Sequence, residues 1–125
     1  MNNETNKNTA LDFLRLIVAG HIADAYDKYV DPNGKHHNLY FPAGFSALQK
    51  GMEENHNQFP NKTITIKNIF SDGNRVAVHS HVQMQMGDKG ITVVHMFRFE
   101  GGKIVEMWDV GVPVPDTIPN TDGAW

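Results

Sequence analysis

Three places in this sequence combine side chains that can move protons or hold a ligand. Asp109 follows Met107 and Trp108 near the end of an apolar run. Partial desolvation there would strengthen a carboxylate as a general base, whereas an aspartate at a strand terminus is more often simply solvated. His79-Ser80-His81 sets two imidazoles on one side of a strand, a spacing that a divalent metal accepts. A catalytic metal site normally takes a third protein ligand, which Asp109 or His37 would supply. Without one, such a pair is exposed or hydrogen-bonded. The third place is His36-His37-Asn38, in an irregular stretch that either lines a pocket mouth or sits in water.

These groups act together only if the chain converges on them. Ala10, Phe13, Leu14, Ile17 and Val18 recur at helical spacing, with Gly20 as a stop. Ile22, Tyr26, Tyr29 and Val30 form a second helical stripe, broken by Asp31-Pro32-Asn33-Gly34. Phe45, Leu48 and Met52 mark a third helix. After Pro60 the period becomes two, with strands at about residues 63–70, 75–86, 91–100 and 103–110. Helices first and a meander last predict an α+β fold, its antiparallel sheet of about four main strands carrying the helices on one face. Residues 1–125 then make a single domain, with residues 1–8 frayed and 111–125 an extended tail.

Pairing arithmetic predicts which residues share a face. A two-residue hairpin at Gly101-Gly102 sets Glu100 opposite Lys103 and Met96 opposite Met107. Pairing Met86 with Ile91 sets His81 opposite Met96 and His79 opposite Arg98. One face then carries His79, His81, Met96, Arg98, Met107 and Asp109, the mixture of apolar walls and few polar groups that a small-molecule pocket needs. The other face, with Val93, Phe97, Phe99 and Trp108, is almost wholly apolar. Three short helices cover only one face, so a homodimer through this apolar face is expected; the alternative is that this face is the helix-facing core and the His/Asp face meets solvent. A one-residue bulge would scramble the assignment.

Composition narrows the function. The 125 residues are 40% hydrophobic and 20% charged, which excludes wholesale disorder. Eleven Lys+Arg against 14 Asp+Glu leave no basic excess for a phosphate backbone, so no nucleic-acid partner is expected. The absence of cysteine excludes disulfides, thiolate metal sites and cysteine nucleophiles. No apolar run approaches the roughly 20 residues of a membrane span, and the first residues are too polar for a signal peptide. A cytoplasmic protein with no membrane partner is the expectation.

The stretch Met96-Phe97-Arg98-Phe99-Glu100-Gly101-Gly102-Lys103-Ile104-Val105-Glu106-Met107-Trp108-Asp109-Val110 resembles the FRF-x-x-GKIVE-x-WDV signature of the SnoaL-like polyketide cyclase group. That group lies within the nuclear-transport-factor-2-like superfamily, which also contains ketosteroid isomerases. Val76-Ala77-Val78-His79-Ser80-His81 resembles the group's VAVHSH strand, and His37-Asn38 after Tyr29 is similar to its Y…QHN loop. The resemblance implies a cone: a curved sheet around a deep pocket, closed by helices, with dimers common. By position it makes Asp109 the acid/base aspartate, His79 and His81 pocket-strand histidines, and His37 and Asn38 part of the loop at the pocket. The chain departs from the group at His95, where an aspartate is common, and at Leu39, where a proline is usual.

The resulting expectation is a cofactor-independent cyclase or isomerase acting on a small, apolar, carbonyl-containing molecule. Asp109 removes a proton α to a carbonyl, and His79 orients it or protonates the oxyanion, with His37 and Asn38 as further donors. Substrate contacts are expected from Asn38, His81, Met96, Arg98, Met107 and Tyr29, although a solvent-facing ion pair suits Arg98 equally. Two alternatives stand beside this reading: a non-catalytic small-ligand binding domain, and a metal site built on His79 and His81.

Overall fold

The computed structural model describes residues 3–125. Helices α1 (Asn3–Val18) and α2 (Ile22–Tyr29) precede a strand β1 (Val30–His36) and helix α3 (Phe45–Gln58). Four strands follow: β2 (Thr63–Asp72), β3 (Arg75–Gln83), β4 (Ile91–Glu100) and β5 (Lys103–Pro113). They form one curved sheet in the order β1-β5-β4-β3-β2, antiparallel except where edge strand β1 runs parallel to β5. The α+β class and the order of the three helices and the four strands after them are those expected. Of residues 1–8, expected to fray, those from Asn3 onward are helical, and Met1 and Asn2 lie outside the described residues.

The fifth strand is the unforeseen element. Asp31-Pro32-Asn33-Gly34 reads as a break, yet it continues into β1. An edge strand tolerates proline because one side of its backbone needs no ladder partner. The register against β5 is irregular between Val30 and Lys35, where these residues fall.

The helices cover the inner face of the sheet. Phe13 of α1 meets Phe97 of β4 edge-on at 5.9 Å between ring centres and Tyr26 of α2 at 5.6 Å, and Tyr26 meets Phe45 of α3 at 6.2 Å. Around this aromatic chain Ala10, Leu14, Ile22, Leu48, Val76, Val78 and Ile104 are buried. The apolar sheet face is therefore the helix-facing core. Phe97 is fully buried, and Trp108 lies on the opposite side, so the expected homodimer surface through Val93, Phe97 and Trp108 is not available.

One residue accounts for the exchange of faces. The Gly101-Gly102 turn, with both glycines at positive φ, pairs Glu100 with Lys103 as expected. Phe99 then pairs with Ile104 but Arg98 with Glu106, leaving Val105 without a partner on β4. Beyond this bulge every β5 side chain is turned over relative to the simple register. Phe97, not Met96, lies opposite Met107; Met96 lies opposite Trp108; and His95 lies opposite Asp109. Between β3 and β4 the pairing is Val82 with Ile91 rather than Met86 with Ile91, so His81 faces Thr92 and His79 faces Val94.

Candidate active site

The bulge turns Asp109 inward, beside His95. Both line a cavity of about 210 Å³ between the helices and the inner face. Its apolar wall comes from Leu14 and Ile17 of α1, Met52 of α3, Val82 of β3, and Ile91 and Val93 of β4. Asn55 and Lys62 are the remaining polar side chains on it. An apolar chamber with a few converging polar groups is what a small-molecule site requires.

Asp109 is held from the loop after β1. Asn38 Nδ2 donates to both carboxylate oxygens, at 3.1 Å to Oδ1 and 2.9 Å to Oδ2. The amide orientation is fixed by its other end, because Asn38 Oδ1 accepts the Tyr40 backbone N–H at 2.8 Å. The backbone of Asn38 is tied in turn to His36, whose Nδ1 accepts the Asn38 N–H at 3.1 Å. His36 Nε2 therefore carries the proton and donates to the Pro42 carbonyl at 2.8 Å. A buried histidine thus latches the loop that clamps the carboxylate. On its outer side Asp109, with Asn38, also forms part of the wall of a groove of about 650 Å³ bounded by Leu39, Tyr40 and Val112.

His95 is the unsatisfied group. Its Nδ1 is buried and has no hydrogen-bond partner among the described residues. Burial pushes the imidazole below its ordinary range, and the Asp109 carboxylate opposes that only in part. The ring is therefore neutral near pH 7 and keeps its hydrogen-bonding capacity for whatever enters the cavity. Tyr26, pushed upward by burial and then by the negative charges of Asp109 and Glu53, stays protonated and donates to Met52 Sδ at 3.2 Å.

The other residues expected at the site lie elsewhere. His79 and His81 are on the outer face with Met96 and Arg98, as the β3–β4 arithmetic predicts, but Asp109 is not with them. The nitrogens of His79 are engaged by Asn68 Nδ2 at 3.1 Å and by Thr92 Oγ1 at 3.0 Å. His81 Nε2 donates to the Lys89 carbonyl at 2.8 Å, and its ring packs on Trp125. No third ligand stands with these two: among the described residues no group of three or more His, Cys, Asp or Glu could hold a metal ion.

His37, expected to be catalytic, bonds Glu106 at 2.6 Å and stacks on Trp108 on the outer side. Arg98 donates to Glu106 at 2.9 Å and also bonds Glu100, the ion-pair alternative. These contacts hold the Glu106 carboxyl below its usual range, the His37 bond contributing most. Met107 is inward as core packing, and the Tyr29 hydroxyl is spent on Asp12. Of the expected site residues, only Asn38 and Asp109 come together. His95, Asn55 and Lys62 complete the cavity. The departure at His95 from the family's aspartate is the sequence signal for the first. For Lys62 the signal is its shared parity with the inward Ile64 and Ile66.

Among the described residues no helix is long and apolar enough to cross a membrane. Comparison with solved structures finds the same fold repeatedly. IdmH from Streptomyces antibioticus, a candidate polyketide cyclase, superposes with a TM-score of 0.69 at 19% identity, over 85% of this chain and 91% of that one. An NTF2-like protein from Cytophaga hutchinsonii gives 0.69 at 17% identity, over 86% and 90%. AclR from Streptomyces galilaeus, a candidate hydroxylase, gives 0.69 at 25% identity, over 88% and 80%. No curated protein matches the sequence. The SnoaL-like domain model matches residues 10–107, most of the chain and nearly all of the cone, and the protein belongs to the SnoaL-like domain family.

Proposed function

We propose that this protein is a cofactor-independent enzyme that removes a proton α to a carbonyl of a small, apolar substrate, in an aldol-type cyclisation or an isomerisation. The observation that carries this reading is the Asn38 clamp on both oxygens of Asp109, which aims the carboxylate at an apolar cavity shared with a neutral, unpartnered His95. Asp109 takes the α-hydrogen as a proton, and the C–H electron pair passes into the enolate. His95, in its Nδ1–H tautomer, donates to the enolate oxygen. In a cyclisation the enolate carbon attacks a second carbonyl and forms the C–C bond. The new alkoxide then recovers the proton from Asp109. In an isomerisation the proton returns to a different carbon. Holding a base at the reacting carbon and a donor at the oxygen stabilises charge where it develops, which is the largest contribution an enzyme of this kind can make.

The test begins with a thermal-shift screen of keto compounds. Deuterium exchange at the α-carbon of those that bind is then measured for the wild type and Asp109→Asn. Exchange in the wild type that collapses in the variant is the expected result. Unchanged exchange removes Asp109 from the chemistry. Tight binding with no exchange for any ketone establishes the rival, a binding domain without catalysis.

A further inference from the structure

The cavity holds one charged group that the proposed chemistry does not use. Lys62 immediately precedes β2 and shares the inward parity of Ile64, so its stem runs along the apolar wall. Its ammonium donates to Asn55 Oδ1 from the end of α3. Among the described residues no carboxylate offsets its burial, which lowers the amine from its ordinary range. A half-buried cation whose protein acceptor is a neutral amide is a costly arrangement in an apolar chamber, and an incoming anion relieves it.

Its position opposite Asp109 gives the cation a use. In the sheet order, Asp109 on β5 and Lys62 at the head of β2 are separated by β4 and β3. The two are three strand spacings apart across the sheet and also offset along it, because Asp109 aligns through His95 and Val78 with Ile69 whereas Lys62 lies beyond Thr63, so their side chains line opposite ends of the cavity. A cavity of about 210 Å³ exceeds the 150 Å³ that accommodates a benzene ring, so it takes a ring carrying a flexible chain, whose free end can extend toward Lys62.

We propose that Lys62, held by Asn55, receives a carboxylate of the ligand, so that this cavity selects apolar keto acids bound with the ketone at Asp109 and the acid at Lys62. The two ends enforce the orientation. Asp109 repels the carboxylate, and Lys62 attracts it, so the carbon next to the ketone is delivered to the base. The proposal rests on the reading of Asp109 as that base and names the substrate class that reading leaves open.

Calorimetry with γ-benzoylbutyrate and its methyl ester, followed by other aryl and alkyl keto acids and their esters, tests it. The wild type should bind acid over ester by about fivefold to tenfold, the gain of one partly buried ion pair. Lys62→Met should abolish that preference, and Lys62→Arg should keep most of it. Asp109→Asn should retain it while losing α-exchange. Lys62→Gln serves the same purpose should the methionine variant fail to fold. An acid-to-ester ratio that is the same in the wild type and in Lys62→Met or Lys62→Gln overturns the proposal and leaves the base assignment standing. If no acid or ester in the series binds the wild type, the cavity reading falls and the carboxylate site falls with it.

Discussion

The two faces of the sheet each carry histidines and an acidic group, and only one of them leaves such groups unspent. On the outer face His79 is engaged at both ring nitrogens, and Glu106 is saturated by His37, Arg98 and the nearby Lys35. Every strong group there is answered by another protein group beside water. On the inner face His95 Nδ1 has no partner, and Asp109 is gripped from one side only, with the cavity on the other. Satisfied polar groups stabilise a fold. Positioned but unspent ones do work on a ligand, because the hydrogen bonds they lack are formed only when it arrives.

This contrast can be broken from either side. The largest effect is expected for Asp109→Asn, which keeps the shape but removes the proton acceptor. Loss of a general base typically lowers the rate by about 10²–10⁴, read as α-deuterium exchange with ligand affinity little changed. Glu106→Ala should act on the fold instead. Removing the acceptor of His37 and Arg98 should lower stability in chemical denaturation, while exchange per folded molecule stays as it was. A fall in exchange at full folding would carry the outer cluster into the mechanism.

Asn38→Ala should lower exchange by roughly tenfold, the worth of one good hydrogen bond orienting the base, with a smaller change in KM. The next effect is on pH dependence. The His95 imidazole is pushed down in the folded protein and ordinary when unfolded, so its contribution is fully present above about pH 6.5 and is lost as the pH falls below that value. Thermal unfolding between pH 7 and 5 should show that loss, and His95→Gln should flatten the slope. His79→Gln should do least, moving stability by within about 0.5 kcal/mol and leaving exchange untouched. A metal-like loss of function on that substitution would reverse the ranking of the two faces.

The sequence makes the elements legible because their periods are strong and the sheet needs its glycine turns. It also makes the shared face of β3 and β4 legible, even though their pairing differs: Met86 and Val82 have the same parity, so the displaced register preserves the faces. Asn38 and Asp109 are readable for a similar reason, since each stands in a motif whose spacing the fold respects. Three things are not readable. Val105 is an ordinary strand residue, and nothing in its type announces that it has no partner on β4. β1 is built from turn-forming residues and is held by β5 rather than by its own propensity. Lys62 shares the parity of the inward Ile64, but its meeting with Asn55 at the end of α3 is made only in the folded chain, where no local pattern announces it.

The unpaired Val105 gives this strand something like a reading frame. Removing that residue, or adding another between Ile104 and Asp109, would exchange every inward and outward side chain down to the end of β5. Trp108 would be driven into the chamber and Asp109 out of it, with the motif itself still intact as a string of letters. An insertion at the exposed Gly73 turn between β2 and β3 would leave the chamber as it is. Divergence within this fold can therefore proceed at such a tip, while a single-codon deletion in one strand is enough to take Asp109 out of the chamber.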